Sequence, residues 1–526
     1  MSLDFDIIIV GSGPAGVSIA FPLLGSGLRI LMVDGGAQPD VTLPARNFLT
    51  ERFEQADQWK WMIGEQYHAL TQRDAVSPKL RAPTQSYVFA GANEENRIVA
   101  HDFVAIGSLA SGGLSNGWGC GVAAWTAEEL SAFPFPASEL TPSYRAVSER
   151  IGISGRQDDD LADYFGLDAW AQPAIPLDNL HRRLERNYLR RRDRCSELGF
   201  RLGRSRVAVL NTAHAGRLPC DRLSNCLYGC SRRSLYSSRH ELPALQNHGN
   251  FQYEAGFIVE QLVRQGDSWE VQGHVAGDAS KGRTITARRV VLAAGTLATT
   301  RLALRTLQWE GNVPVASSPT AAFLLWLPRL LGAQREPSFG LGQLSFSLTL
   351  KQGFTAFGST FSTTGLPVAE FASRMPMNKR SSISLLGNLL SSCVVGNAFL
   401  PGTLSATVAQ LDAQGALHVH GKQDERVPAL MAETARRLRK AYGRLGAMML
   451  PTSFTMGKPG ADIHYAASLP MRGRPEPTQT NAEGELEGLP GVYVADGASL
   501  PTLTEKSHTL TIMANADRMG RRLAAK

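Results

Sequence analysis

Apolar positions along this chain fall into a few compact blocks separated by long mixed stretches. Ile7 to Val10 is an unbroken β-branched run, the pattern of a strand buried on both faces of a parallel sheet. Leu28 to Val33 and Arg289-Val-Val-Leu-Ala-Ala-Gly295 repeat it, and Gly491-Val-Tyr-Val-Ala-Asp-Gly-Ala-Ser-Leu-Pro501 reads as a further strand and turn. Leu198 to Leu210 and Phe251 to Val275 read as short strands, and Leu341 to Leu350 alternates as a strand does. Helical patterns run to about Ile151, from about Leu297, from Val427 to Leu445 and from Thr509 to Leu523. Sheet-building pieces therefore lie at both ends and in the middle, which predicts an α/β (α+β overall) chain with one discontinuous domain and a second inserted into it. No internal repeat or low-complexity segment interrupts this layout.

The turn after the first strand gives the first domain its chemistry. It reads Gly11-Ser-Gly-Pro-Ala-Gly16, so Ser12, Pro14 and Ala15 sit among the three glycines of a dinucleotide fingerprint. Those glycines permit a tight turn, close approach of a pyrophosphate, and tight packing of helix on strand. Amides of a helix beginning near Pro14 point at the phosphates. The second strand ends at Asp34, followed by Gly35, where a carboxylate can accept from a ribose hydroxyl pair. Pro22 predicts a kink or an early end in the intervening helix. Past Asp34 a polar, irregular region extends to about Ala100 and holds the aromatic Trp59-Lys-Trp61. Then Ser108 to Gly121 gathers so many small residues that the backbone there is expected to run against something flat or charged.

Charge narrows the partners. The net charge of +7 comes from 54 basic and 47 acidic residues mixed along the chain, which is not a nucleic-acid profile. One local run, His181 to Arg194, is strongly basic; a solvated helix face is the favoured reading, and docking of an anionic partner through Arg190, Arg191 and Arg192 the other. The most apolar stretch, Ala321 to Leu327, is short and stopped by Pro328 and Arg329, so no membrane span is expected. The first residues lead straight into a buried strand without a basic leader, and a cytoplasmic location is expected. The six cysteines, Cys120, Cys195, Cys220, Cys226, Cys230 and Cys393, then read as thiols or metal ligands rather than a disulfide framework.

Four separated blocks resemble one family, the glucose-methanol-choline oxidoreductases, FAD enzymes that oxidise alcohols. They are the N-terminal fingerprint, Gly112-Gly-Leu-Ser-Asn-Gly117, Pro134-Phe-Pro-Ala-Ser-Glu-Leu-Thr-Pro-Ser-Tyr144 and Val494-Ala-Asp-Gly-Ala-Ser-Leu-Pro501, in the family order. The resemblance implies a Rossmann-like FAD-binding domain from 1–130, 200–310 and 455–526. An inserted substrate domain, an antiparallel sheet with helices, would come from 131–199 and 311–454. It places the cofactor on Gly112, Gly113, Ser115, Asn116 and Gly117, on Ala294 and Gly295, and on Asp496 and Gly497 beside the ribityl and phosphate groups. The start of the last helix, at His508, Thr509 and Leu510, would face the pyrimidine edge of the flavin. Ser115 stands where some relatives carry a covalently attached histidine, so the FAD is expected to be non-covalent.

The family's catalytic pair maps onto His464 and His508. An imidazole can take an alcohol proton near neutral pH, and hydride leaves for flavin N5 only as that proton is lost. His464 is the favoured base. A small-molecule alcohol, a sugar or glycoside among the options, is the expected substrate, and the electron acceptor (oxygen, quinone or protein) stays open. Alternatives are a flavin monooxygenase, an NAD-linked enzyme, or a flavin-binding protein without chemistry. Cys220, Cys226 and Cys230, with five and then three residues between them, resemble a cysteine-rich segment of some dehydrogenases in the family. They could hold an iron–sulfur cluster, three-iron rather than four-iron, or form a cluster-free loop near the FAD.

Overall fold

A computed structural model describes the chain except residues 1–2, 40–42, 44–56, 66, 68, 70–76, 335, 367–370, 373–374 and 526. Five strands form a parallel sheet in the order Phe251–Ala255, Ile30–Asp34, Phe5–Val10, the end of Asp278–Leu292, and Val492–Val494. The unbroken apolar run is explained by its two covered faces. Ile7 and Ile9 pack under the helices Pro14–Leu23 and Thr509–Ala524, whereas Ile8 and Val10 face the helix Thr296–Leu307. None of these four residues is more than 5% exposed, and full burial of each such side chain contributes about 1.5–3 kcal/mol. The first helix ends at Leu23, one residue after Pro22, as the proline predicts. Gly520 lets the last helix close on it, since a Cβ there would lie 2.5 Å from the Ile19 carbonyl oxygen.

The long strand Asp278–Leu292 serves two sheet types. Its first half runs antiparallel to Ser268–Val275, itself paired with Phe257–Gln265, and its second half enters the parallel sheet. The polar Asp278 to Thr284 half carries no apolar signature, so the sequence shows only the buried end.

The second large sheet is antiparallel, in the order Met448–Met449, Thr320–Trp326, Cys393–Phe399, Thr355–Ser362, Leu344–Thr349 and Phe200–Arg204. Phe200–Arg204 pairs with Leu344–Thr349, so the segment expected to open a part of the first domain at 200 begins with a strand of this antiparallel sheet. A four-stranded sheet likewise joins Ile98–His101 to Leu417–His420, Val408–Leu411 and Val313–Pro314, across the expected domain boundary. Alternation reveals a strand but not its partner. The helix Val427–Arg444 covers one face of the antiparallel sheet, where Phe323, Phe346, Leu438 and Tyr442 pack together. The other face looks onto the cavity described below.

The basic run is two helices, Asn179–Leu189 and Arg192–Ser196, broken at Arg190. His181, Leu184 and Tyr188 form a buried stripe, and Arg190, Arg191 and Arg192 are exposed. Arg191 donates to the Arg444 carbonyl at 2.6 Å and Arg192 pairs with Asp160, which fits the solvated-face reading. Among the described residues no helix is long and apolar enough to cross a membrane. Trp59 and Trp61 lie on the short helix Gln58–Ile63.

Candidate active site

One cavity of about 890 Å³ runs from the fingerprint turn to the open face of the antiparallel sheet. Its fingerprint end is shaped by four glycines with two kinds of surroundings. Gly11 has φ +106°, and a Cβ there would lie 2.3 Å from the Ala293 carbonyl oxygen. At Gly16 a Cβ would lie 1.9 Å from the Gly11 oxygen, so this glycine serves helix packing. Gly13 has nothing within 4 Å on its Cβ side, and neither does Gly295. Two glycines are thus filled by protein and two open on free space, which is the cradle that a dinucleotide needs. The residues present fit FAD.

A hydroxyl network braces this end. Ser12 donates to one oxygen of Asp34 and accepts from the Gly112 N–H at 2.8 Å, tying the fingerprint to the glycine block. Tyr253 donates to the other Asp34 oxygen at 2.8 Å. Burial raises the Asp34 pKa, and these two donors oppose that rise. Ser238 donates to the Ser12 carbonyl at 2.9 Å. Asn116 holds its own loop through the Ser111 and Gly113 carbonyls, both at 2.9 Å. Ser115 is buried, donating to the Gly112 carbonyl at 2.5 Å and accepting from the Ser238 N–H at 3.0 Å. Asp496 accepts from Thr299 at 2.5 Å and from the Gly295 and Ala498 amides at 2.9 and 3.0 Å. Burial still pushes its carboxyl up to about 6.

Of the expected cofactor residues, Gly11 to Ala15, Asp34, Gly113, Ser115, Gly117, Ala294, Gly295, Asp496, Gly497, His508 and Thr509 line the cavity. Gly16, Gly35, Gly112 and Asn116 stand behind it. Gly35 is packed against Leu109, and Gly112, with φ +88°, against Arg239. The Leu510 side chain is in the core, which leaves its backbone amide as the group available at the start of the helix Thr509–Ala524. Ser238, Tyr253 and Thr299 were not legible beforehand, because no motif spacing marks them.

His464 and His508 meet at the middle of the cavity, with ring centroids 4.9 Å apart and planes at 70°. His464 precedes the short strand Tyr465–Ala466, which pairs with Ala316–Ser317. Ile463, at φ +60°, is a β-branched residue in the left-handed region, an unfavourable conformation held in place by its surroundings. The ring of Phe399 lies 5.2 Å from that of His464. Burial lowers the His464 pKa to about 4, and burial, then the neighbouring imidazole, hold that of His508 well below the ordinary imidazole value. The Nδ1 atoms of both rings are buried without a hydrogen-bond partner, so Nε2 is the nitrogen left for a substrate. Asp462 stands 3.8 Å from His464 Nδ1, beyond hydrogen-bond reach, and accepts from the Ser318 N–H at 2.7 Å. Burial holds its carboxyl well above the usual range.

The iron–sulfur expectation is corrected. Among the described residues no three His, Cys, Asp or Glu side chains gather in a metal-binding arrangement. Cys220 and Cys226 pack against the main core, and burial pushes their thiols up, Cys220 to about 11 and Cys226 well above the ordinary thiol range. That environment favours thiols over the thiolates a cluster needs.

No family model matches the chain. The paromamine 6'-oxidase of Streptomyces fradiae is 22% identical to it over 571 residues, covering 99% of this chain and 91% of that protein. Among solved structures, pyridoxine 4-oxidase from Mesorbium loti aligns over 99% of both chains with a TM-score of 0.58 and 14% identity. An FAD-dependent oxidoreductase from Chaetomium thermophilum, in complex with a butanamide fragment, aligns over 99% of both with a TM-score of 0.60 and 11% identity. The structural likeness shows a shared fold, and together these relatives bear out the resemblance to the glucose-methanol-choline oxidoreductases.

Proposed function

We propose that this protein is an FAD-dependent oxidoreductase that oxidises an alcohol group of a small molecule, with His464 and His508 acting on the hydroxyl. The observation that carries this reading is the pair of imidazoles, 4.9 Å apart, on the same cavity as the open glycine cradle. The Streptomyces relative is by name an oxidase of paromamine, which agrees with an oxidative activity.

FAD, when bound, supplies the acceptor for the carbinol hydrogen and its two electrons. Gly13, Gly113, Gly295, Asp34 and Asp496 would hold it, and Ser115, committed to backbone hydrogen bonds, offers it no covalent attachment. Everything else falls to this chain's own groups. With its pKa near 4, His464 is neutral at physiological pH and its Nε2 can accept the hydroxyl proton. His508, whose ring lies beside that of His464, holds the same oxygen and fixes its direction. The amides of Thr509 and Leu510 open the last helix, so the positive end of its dipole favours negative charge beside them.

Two measurements on purified protein test the reading. Acid precipitation should release yellow FAD into the supernatant, and candidate alcohols should bleach the bound flavin in the absence of oxygen. Flavin retained on the pellet would overturn non-covalent binding. A flavin-loaded protein that no alcohol bleaches would overturn alcohol oxidation.

A further inference from the structure

Resting on that alcohol-oxidation reading, the chamber beyond the histidines narrows the substrate. Its wall is the open face of the antiparallel sheet, and strand parity says which side chains stand there. Leu344, Phe346, Leu348, Val394 and Ala398 point into the core against the helix Val427–Arg444. Their neighbours therefore point the other way, and Phe357, Ser359, Phe361, Val395, Asn397 and Phe399 line the cavity. The four strands Thr320–Trp326, Leu344–Thr349, Thr355–Ser362 and Cys393–Phe399 contain no charged residue. Of the charged residues bordering them, one is paired away from the wall and another is enclosed, with its Oδ1 lacking a hydrogen-bond partner. The fully buried Arg206 side chain pairs with Asp159 and Asp168, at 2.9 and 2.8 Å, and the Asp462 side chain has no exposed surface.

Among the apolar side chains and the hydroxyls of Ser345, Ser359 and Ser362 on this wall, Asn397 is the amide. The ladder between Thr355–Ser362 and Cys393–Phe399 is interrupted opposite it, and the Ser359 N–H donates to its side-chain oxygen at 2.8 Å. Since a backbone N–H can only donate, the oxygen must face Ser359 and the amide NH2 must face the other way. Gly358 makes the arrangement possible, as a Cβ there would lie 2.0 Å from the Asn397 carbonyl oxygen. Asn397 lies two residues from Phe399 on the same face, roughly 7 Å along the strand. Phe399 in turn touches His464.

We propose that Asn397 determines specificity by donating its NH2 to a hydrogen-bond acceptor on the substrate, and that the substrate is an uncharged alcohol with a flat apolar body. A polycationic aminosugar fits poorly, because its ammonium groups would lose water against strands that carry no carboxylate, and burial holds the neighbouring Asp462 toward its neutral form.

The test uses flavin-loaded protein and anaerobic stopped-flow reduction with four probes. Pyridin-3-ylmethanol and pyridin-4-ylmethanol carry a ring acceptor, benzyl alcohol is their isostere without one, and 4-(aminomethyl)benzyl alcohol carries a cation. Wild type should bind at least one pyridyl alcohol about tenfold more tightly than benzyl alcohol, the value of one good hydrogen bond. Asn397→Asp keeps the oxygen that Ser359 needs and replaces the donor with an acceptor. It should lose that tenfold preference, leave benzyl alcohol within about threefold, and gain on the aminomethyl probe. Unchanged flavin content in the variant shows that it is folded. Equal losses on the pyridyl and benzyl alcohols would overturn the role of Asn397. Paromamine bleaching wild type faster than any of the uncharged alcohols would overturn the substrate class while leaving alcohol oxidation intact.

Discussion

The two ends of the cavity are built on different principles. At the nucleotide end the shape is backbone: glycines whose missing side chains either admit another strand or leave open space, joined by amide and hydroxyl contacts. At the sheet end the shape is side chain, contributed by strands whose partners are tens to hundreds of residues apart. A backbone cradle tolerates almost no added atom, whereas a side-chain wall can change residue by residue without moving the strands beneath it. The first is therefore the part that reads as a motif, and the second is where substrates can be exchanged.

The sharpest contrast should come from adding atoms. Gly16→Val places its Cβ in the Gly11 carbonyl, at 1.9 Å, and the backbone cannot give way as a flexible side chain can. The purified variant is expected to show essentially no flavin absorbance at 450 nm, or to fail to fold. Phe361→Leu on the opposite wall should retain full flavin. Comparable flavin loss in both would break the distinction.

Next in size is the pair at the junction. His464→Ala or His508→Ala should slow anaerobic flavin reduction by about 10²–10⁴, with flavin content unchanged. The pH profile adds a sign. A base that must be neutral and has a pKa near 4 is lost by protonation as pH falls through about 4, so the wild-type rate should drop only below that point. A drop centred near pH 6.5, the ordinary imidazole value, would mean that the two rings are more hydrated than their burial indicates.

That division also explains what the sequence disclosed. Buried parallel strands announce themselves, so Phe5–Val10 and the fingerprint were legible residue by residue, as was the early end of the first helix at Pro22. The two histidines came with blocks that the family resemblance had already ordered. Asn397 was not legible, since its meaning depends on an interrupted ladder with Thr355–Ser362 and no local spacing encodes that. The pairing of Phe200–Arg204 with Leu344–Thr349 was not legible for the same reason. The cysteine trio shows that spacing says nothing about direction: among the described residues the thiols form no metal-binding arrangement.

Beside the histidines, Glu505 offers a smaller, thermodynamic test. Burial raises its pKa from 4.5 to about 7, and Tyr164 donates to it at 2.9 Å. The folded state thus holds this proton over a pH range in which the unfolded chain has released it. Stability is full below about 4.5, declines as pH rises from 4.5 through 7, and is lower by about 3 kcal/mol above that range. Glu505→Gln keeps an oxygen for Tyr164 and cannot ionise. Its melting temperature should match wild type near pH 4.5 and exceed it at pH 8. A gap independent of pH would show that Glu505 titrates normally.

The smallest effect is expected where both ends of the cavity use serine, and it isolates the difference between them. Ser12 joins unlike groups: its hydroxyl donates to the Asp34 carboxylate and accepts a backbone N–H from the glycine block. Ser345 joins like groups, the hydroxyls of Ser205 and Ser359, at 2.8 and 2.9 Å. Removing Ser12 strands an amide and unbalances a partly buried acid, a loss of about 1–3 kcal/mol that should appear as weaker flavin retention on dilution. Removing Ser345 leaves two hydroxyls that can each rotate toward other acceptors or cavity water, and should cost less than about 1 kcal/mol. Ser12→Ala is therefore expected to lose flavin during gel filtration, whereas Ser345→Ala should elute fully loaded, with substrate affinity changed by no more than about threefold. If Ser345→Ala also sheds flavin, the sheet wall is coupled to the cradle and the two ends do not vary independently.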